Sequence, residues 1–143
     1  MKVASYYPII LTLTVISWIA VPFVNHLLTN LRDRRSAFND NIEKLEVIFS
    51  QMNKVAKDYY KSEKLELDHY YQLLSYNERI KFVLRANASI DNKYTFPENL
   101  VIQIRKVTTD DEYREKKKQH GMRELIAIQT RFLDATPRKV RWF

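Results

Sequence analysis

Arg114 and His120 are the two residues of this chain whose types and spacing best fit a chemical step. Glu115, Lys116, Lys117, Lys118 and Gln119 separate them, in a stretch that reads as helix. A guanidinium can hold a phosphate through paired hydrogen bonds, and an imidazole can pass a proton near neutral pH. Together they would suit cleavage of a phosphodiester. The lysine run between them has a plainer use. Lys116, Lys117 and Lys118 read as a solvated or anion-facing surface, and any anion binding there should weaken with salt.

The spacing is similar to the R-x(4–6)-H signature of HEPN-type ribonucleases, small helical bundles that pair their motifs across a dimer. The likeness covers the seven residues Arg114–His120 and the general architecture. It implies Arg114 on the phosphate and His120 on the sugar hydroxyl or leaving oxygen. The polar residue that usually follows the arginine is here Glu115, in a lysine run. Some CRISPR-associated membrane effectors resemble the wider plan, in which an anchor helix precedes a divergent bundle and copies assemble into a pore.

Little else in the chain suggests catalysis. With no cysteine there are no disulfides, thiolate metal sites or cysteine nucleophiles, and a single glycine cannot supply a phosphate-binding loop. His26, His69 and His120 do not pair at metal-ligand spacing, and Glu63, Glu66, Asp68 and His69 read as a solvated face. No metal and no cofactor is expected. The net charge of +7 points instead to an anionic neighbour: lipid, nucleic acid, a nucleotide or an acidic protein surface.

The elements that would position these residues start from an uncharged run. Between Lys2 and Arg32 there is no Asp, Glu, Lys or Arg. A hydrocarbon core about 30 Å thick needs about 20 apolar residues of helix, so residues 8–31 read as one transmembrane helix after a short tail, 1–7. Tyr6 and Tyr7 fall in one interfacial belt, and Arg32, Arg34 and Arg35 flank the other end. A secretory leader is the rival reading. Its charged region would be Lys2 alone, and bulky Trp18 stands where cleavage after Ala20 wants a small residue. An uncleaved anchor is therefore expected. The flanking arginines place the remainder on the cytoplasmic or matrix side of an inner membrane. Pro22 should kink the span.

Residues 32–75 form a long amphipathic helix. Phe38, Ile42, Leu45, Phe49, Met52, Ala56 and Tyr59 alternate steps of four and three, the seam of a coiled coil or helix pair. The seam lapses at Glu63 and Glu66 and resumes at Leu67. The last region, 76–143, reads as helices with a basic tail. One is expected over 77–89 and another after Thr95, with Thr95 as cap and Pro97 in the first turn. Leu100–Val107 fits either a strand or a helix, and the capping signal favours helix. A last helix is expected from Glu112 to Ala135, with Gly121 marking a break or a close contact. Arg138, Lys139 and Arg141 make the tail a second candidate for anion binding.

The expected fold is mainly α: one transmembrane helix, a long amphipathic helix continuing from it, and a small helical bundle. The expected function is non-enzymatic, a single-pass subunit that scaffolds a larger membrane complex. Its partners would be the lipid bilayer and other subunits or copies of itself. The alternative is a self-assembling membrane effector or pore answering a nucleic acid or nucleotide.

Overall fold

Steps of four and three residues keep one apolar stripe on one side of a helix. The chain places that stripe on the second half of a 55-residue helix, α1 (Tyr7–Lys61). The computed structural model describes residues 7–62, 66–117 and 120–139, with side chains from residue 14 onward except that of residue 117. At 1.5 Å per residue α1 is about 80 Å long. Its N-terminal part projects alone: Trp18 is 79% exposed and Phe23 62%. Its C-terminal part is the spine of a bundle. All seven seam residues from Phe38 to Tyr59 are buried, and Ile48 and Tyr60 join them. The buried stripe is wider than a two-stranded seam because more than one helix packs on it.

Four further helices follow among the described residues: α2 (Leu67–Ile90), α3 (Glu98–Thr109), α4 (Asp111–Lys117) and α5 (Gly121–Ala135). Residue pairs across the interfaces fix their directions. Asn41 meets Asn87, Asn53 meets Gln129, Phe49 meets Phe132 and Asn39 meets Lys139. Rising numbers on α1 meet falling numbers towards the C-terminus, and Tyr59 near the end of α1 lies close to Tyr70 at the start of α2, so α2 and α5 both run antiparallel to α1. The C-terminal half of α1, α2, α3 and α5 thus form an up-down bundle, with α4 at the end far from the projecting segment.

The turns are made without left-handed residues. No described residue has a positive φ. Extended backbone at Asp91 and Asp110 ends α2 and α3 instead. Asp110 then caps α4, its carboxylate accepting the Tyr113 N–H at 3.0 Å.

Several expected boundaries change. The long helix does not run to residue 75; it stops at Lys61, where the polar stretch after it carries no apolar stripe. No helix starts at Asn77. That residue is buried inside α2, and its amide donates to the Leu73 carbonyl at 3.0 Å and to Thr108 Oγ1 at 2.9 Å. The expected start of a helix is a cross-link from the middle of α2 to α3. Residues 98–109 are helix, but Thr95 does not cap them; Pro97 stands at the N-cap with no side-chain bond. Pro22 lies inside α1, which is assigned as helix throughout. The last helix is two, α4 and α5.

Polar rungs set the register of the bundle. Asn53 and Gln129 exchange amide hydrogen bonds at 2.9 and 3.0 Å, and Asn41 donates to Asn87 Oδ1 at 2.9 Å. A slip of one helical turn would leave these amides unpaired in a low-dielectric core.

Gly121 opens α5 against Tyr60, whose hydroxyl donates to the Val107 carbonyl. A Cβ at 121 would stand 2.6 Å from Tyr60 Oη and closer to the ring carbons. The ring is buried and tethered, so it has little room to yield. Gly121→Ala is therefore expected to destabilise the bundle by about 1–3 kcal/mol despite better helix propensity. Thermal melting of the full chain in detergent measures it. A melting temperature at or above wild type would show that α5 does not press on Tyr60.

Candidate functional site

The Arg114–His120 pair does not share a helix. Arg114 lies in α4, and His120 is an exposed turn residue preceding α5. Arg114 is only 7% exposed and turns towards the end of α1. Its Nε donates to the Tyr59 carbonyl at 3.2 Å and its Nη2 to the Ser62 carbonyl at 2.8 Å. The guanidinium carbon lies 4.8 Å from the centre of the Tyr59 ring. The last carbonyls of a helix have no partner within it and carry its negative end, so a cation there is favoured. Arg114 is the C-terminal clamp of α1.

The tyrosines around this clamp belong to the core. Tyr59 donates to Asp111 Oδ1 at 3.2 Å, and burial with that carboxylate pushes its pKa up to about 12. Burial raises Tyr60 as well, and burial with a hydrogen bond to Glu124 raises Tyr113. All three hold their protons at neutral pH.

The basic candidates divide between opposite ends of the bundle. Arg114, two residues before Lys116, meets Tyr59 and Ser62, whereas Lys139 meets Asn39, about 20 residues or roughly 30 Å of helix away. Lys116 pairs with Glu112 one turn back. Arg138 reaches Glu43 at 3.5 Å and Glu46 at 2.8 Å, and Lys139 pairs with Asp91. These cations tie the chain to itself. Tyr6, Lys118 and Arg141 lie outside the described residues, as do the side chains of Tyr7 and Lys117. Among the described residues, no group of three or more His, Cys, Asp or Glu could hold a metal ion.

Arg32, Arg34 and Arg35 behave differently. They collar α1 where the projecting segment enters the bundle; Arg32 and Arg34 are exposed and Arg35 is half-buried. Arg34 and Arg35 help line a hollow of about 260 Å³, with Ile90 at the end of α2, Asp91 just after it and Lys139 on its far wall. A second depression, about 750 Å³, lies between α1 and α2. Val47, Ile48, Phe82 and Val83 supply its apolar surface, and Asp40, Glu43, Lys44, Glu78 and Arg79 ring it with mixed charge. Phe82 is 75% exposed there.

No family model, curated protein or solved structure matches the chain. What it can do rests on this geometry. The buried interior holds a structural arginine and amide rungs. The surface offers an apolar groove and an arginine collar. Sequence reasoning missed the groove because Val47 and Phe82 are far apart in the chain and single exposed apolar residues are ordinary.

Proposed function

We propose that this chain is a single-pass membrane protein whose helical bundle, standing just outside the bilayer, helps to assemble a larger membrane complex without catalysing a reaction. The observation that carries the reading is the continuity of α1. Its N-terminal part is long and apolar enough to cross a membrane, and none of that window is buried inside the protein. A soluble protein would cover so much apolar surface; a bilayer does so without further protein. The same helix runs on without a break into the bundle spine, so one element would serve as both anchor and core of the folded domain. The apolar groove between α1 and α2 supports a binding role, because among the described residues only these two helices line it. The flanking arginines favour a bundle on the cytoplasmic or matrix side of an inner membrane.

The expected result is that the full chain stays with membranes in carbonate and in high salt and leaves only with detergent, since burial in lipid is insensitive to ionic strength. Mild solubilisation should then bring down several different subunits. Release by carbonate overturns the single-span reading. A closed ring made only of this chain would overturn scaffolding and favour the self-assembling effector.

A further inference from the structure

We propose that the hollow at the membrane-proximal end of the bundle binds the phosphate headgroup of an anionic phospholipid, with Arg34 and Arg35 on the phosphate and an acyl chain along α1. The proposal rests on the membrane reading above and names a ligand for it. Leu31, Arg34, Arg35 and Phe38 all line the hollow, at spacings that put them on one face of the helix. Continued towards the N-terminus, that face carries Leu27 and Leu28, both exposed. One stripe therefore passes from apolar side chains to a pair of guanidiniums. The order matches a phospholipid, from tail to headgroup.

The depth also fits. Arg34 and Arg35 lie about 5 Å of helix beyond Leu31, and the polar layer on each side of the hydrocarbon is about 5–7 Å thick. Neither arginine makes an ion pair or hydrogen bond within the described chain, unlike Arg138 and Lys139. The far wall is held in place: Lys139 N–H donates to Asn39 Oδ1 at 2.7 Å, and Asn39 Nδ2 donates to the Lys139 carbonyl at 2.9 Å. Among the described residues Asp91 is the one acid lining the hollow. Its carboxylate is engaged by the Lys139 ammonium and by the Lys93 N–H at 3.0 Å, so it does not offset the two arginines. The Lys139 ammonium also lies 5.0 Å from the centre of the Phe38 ring. At about 260 Å³ the hollow is smaller than pockets that enclose drug-sized ligands, about 300–1,000 Å³. It has room for a phosphate and its glycerol carbons, whereas a nucleotide would leave its base outside.

The test uses the full chain in phosphatidylcholine vesicles containing a minor fraction of phosphatidylglycerol, followed by gentle detergent extraction and native mass spectrometry of retained lipid. Wild type should retain phosphatidylglycerol in preference to phosphatidylcholine. Arg34→Gln/Arg35→Gln should lower that retention on the order of tenfold, with unchanged melting because neither side chain has a partner to lose. Arg34→Lys/Arg35→Lys keeps the charge without the planar fork and should retain more than the glutamine pair. Equal retention by wild type and the glutamine pair would overturn the site. So would displacement of the bound lipid by an equal concentration of glycerol 3-phosphate, which would assign the hollow to a free phosphate. Carbonate extraction of the same vesicles separates the two readings. A wild type that stays inserted but shows no lipid preference refutes the site alone, and a wild type that is released refutes the membrane reading and the site with it.

Discussion

Phe49→Asp is expected to leave the bundle unfolded at neutral pH, or folded only with the new carboxyl protonated. Phe49 is 4% exposed, and its ring centre lies 5.8 Å from that of Phe132 on α5. Truncating a buried phenylalanine costs about 3–5 kcal/mol, and an unpaired carboxylate in the same place costs several more. The sum approaches or exceeds the 5–15 kcal/mol that typically separates folded from unfolded states. The pH dependence gives the sign. Burial raises the carboxyl pKa in the folded state, so the variant is most stable below the unfolded value near 4 and loses stability as pH rises through the folded one. Ile42→Asp should behave alike, since Ile42 is 2% exposed. Lys54→Ala, on an exposed position of the same helix, should stay within about 0.5 kcal/mol. Circular dichroism of the full chain in detergent, from pH 4 to 8, reads all three. Equal tolerance at 49 and 54 would mean that α5 does not cover the spine.

The seam was legible because the period of a helix repeats the same information every turn. From Phe38 to Tyr59 each of the seven seam residues agrees with the others about which side is inward. The ends of helices carry no such redundancy. Asn77 reads as the start of a helix and Thr95 as a cap, yet Asn77 bonds Thr108 across the bundle and the helix begins beyond Thr95. A cap signal spans only a few residues, and a long-range partner outweighs it. Gly121 could be seen to mark a break or a close contact; that the contact is Tyr60 could not, because 60 and 121 meet only once the bundle forms. Charges were hardest to read. Arg138 and Lys139 looked like anion binders in a basic tail, whereas folding brings Glu43, Glu46 and Asp91 to them. Arg34 and Arg35 look no different in the sequence, and only the fold shows that no carboxylate among the described residues pairs with them.

The sharpest case is Arg114, and its removal is expected to be the most damaging single change on the surface of the core. Arg114→Ala strips the Tyr59 and Ser62 carbonyls of their donors and removes the cation from the Tyr59 ring. Hydrogen bonds from a charged donor contribute about 1.5–3 kcal/mol each, and a cation over an aromatic face about 0.5–2. Water can replace part of this at the rim, where Ser62 is half-buried. A loss of about 3 kcal/mol is expected, seen as earlier melting and as faster proteolysis between α1 and α2. Arg114→Lys should recover less than half, because an ammonium on a flexible stem does not span two carbonyls as a planar fork does. His120→Ala should change stability by less than about 0.5 kcal/mol, since His120 is exposed and caps α5 through its backbone alone. That asymmetry is what separates a clamp from a catalytic pair. A ribonuclease-like site would need both side chains for phosphate binding and proton transfer, and would lose turnover equally at either position with melting unchanged. Metal-independent RNA cleavage by the wild-type chain, abolished by His120→Ala at constant stability, would give Arg114 and His120 back to catalysis.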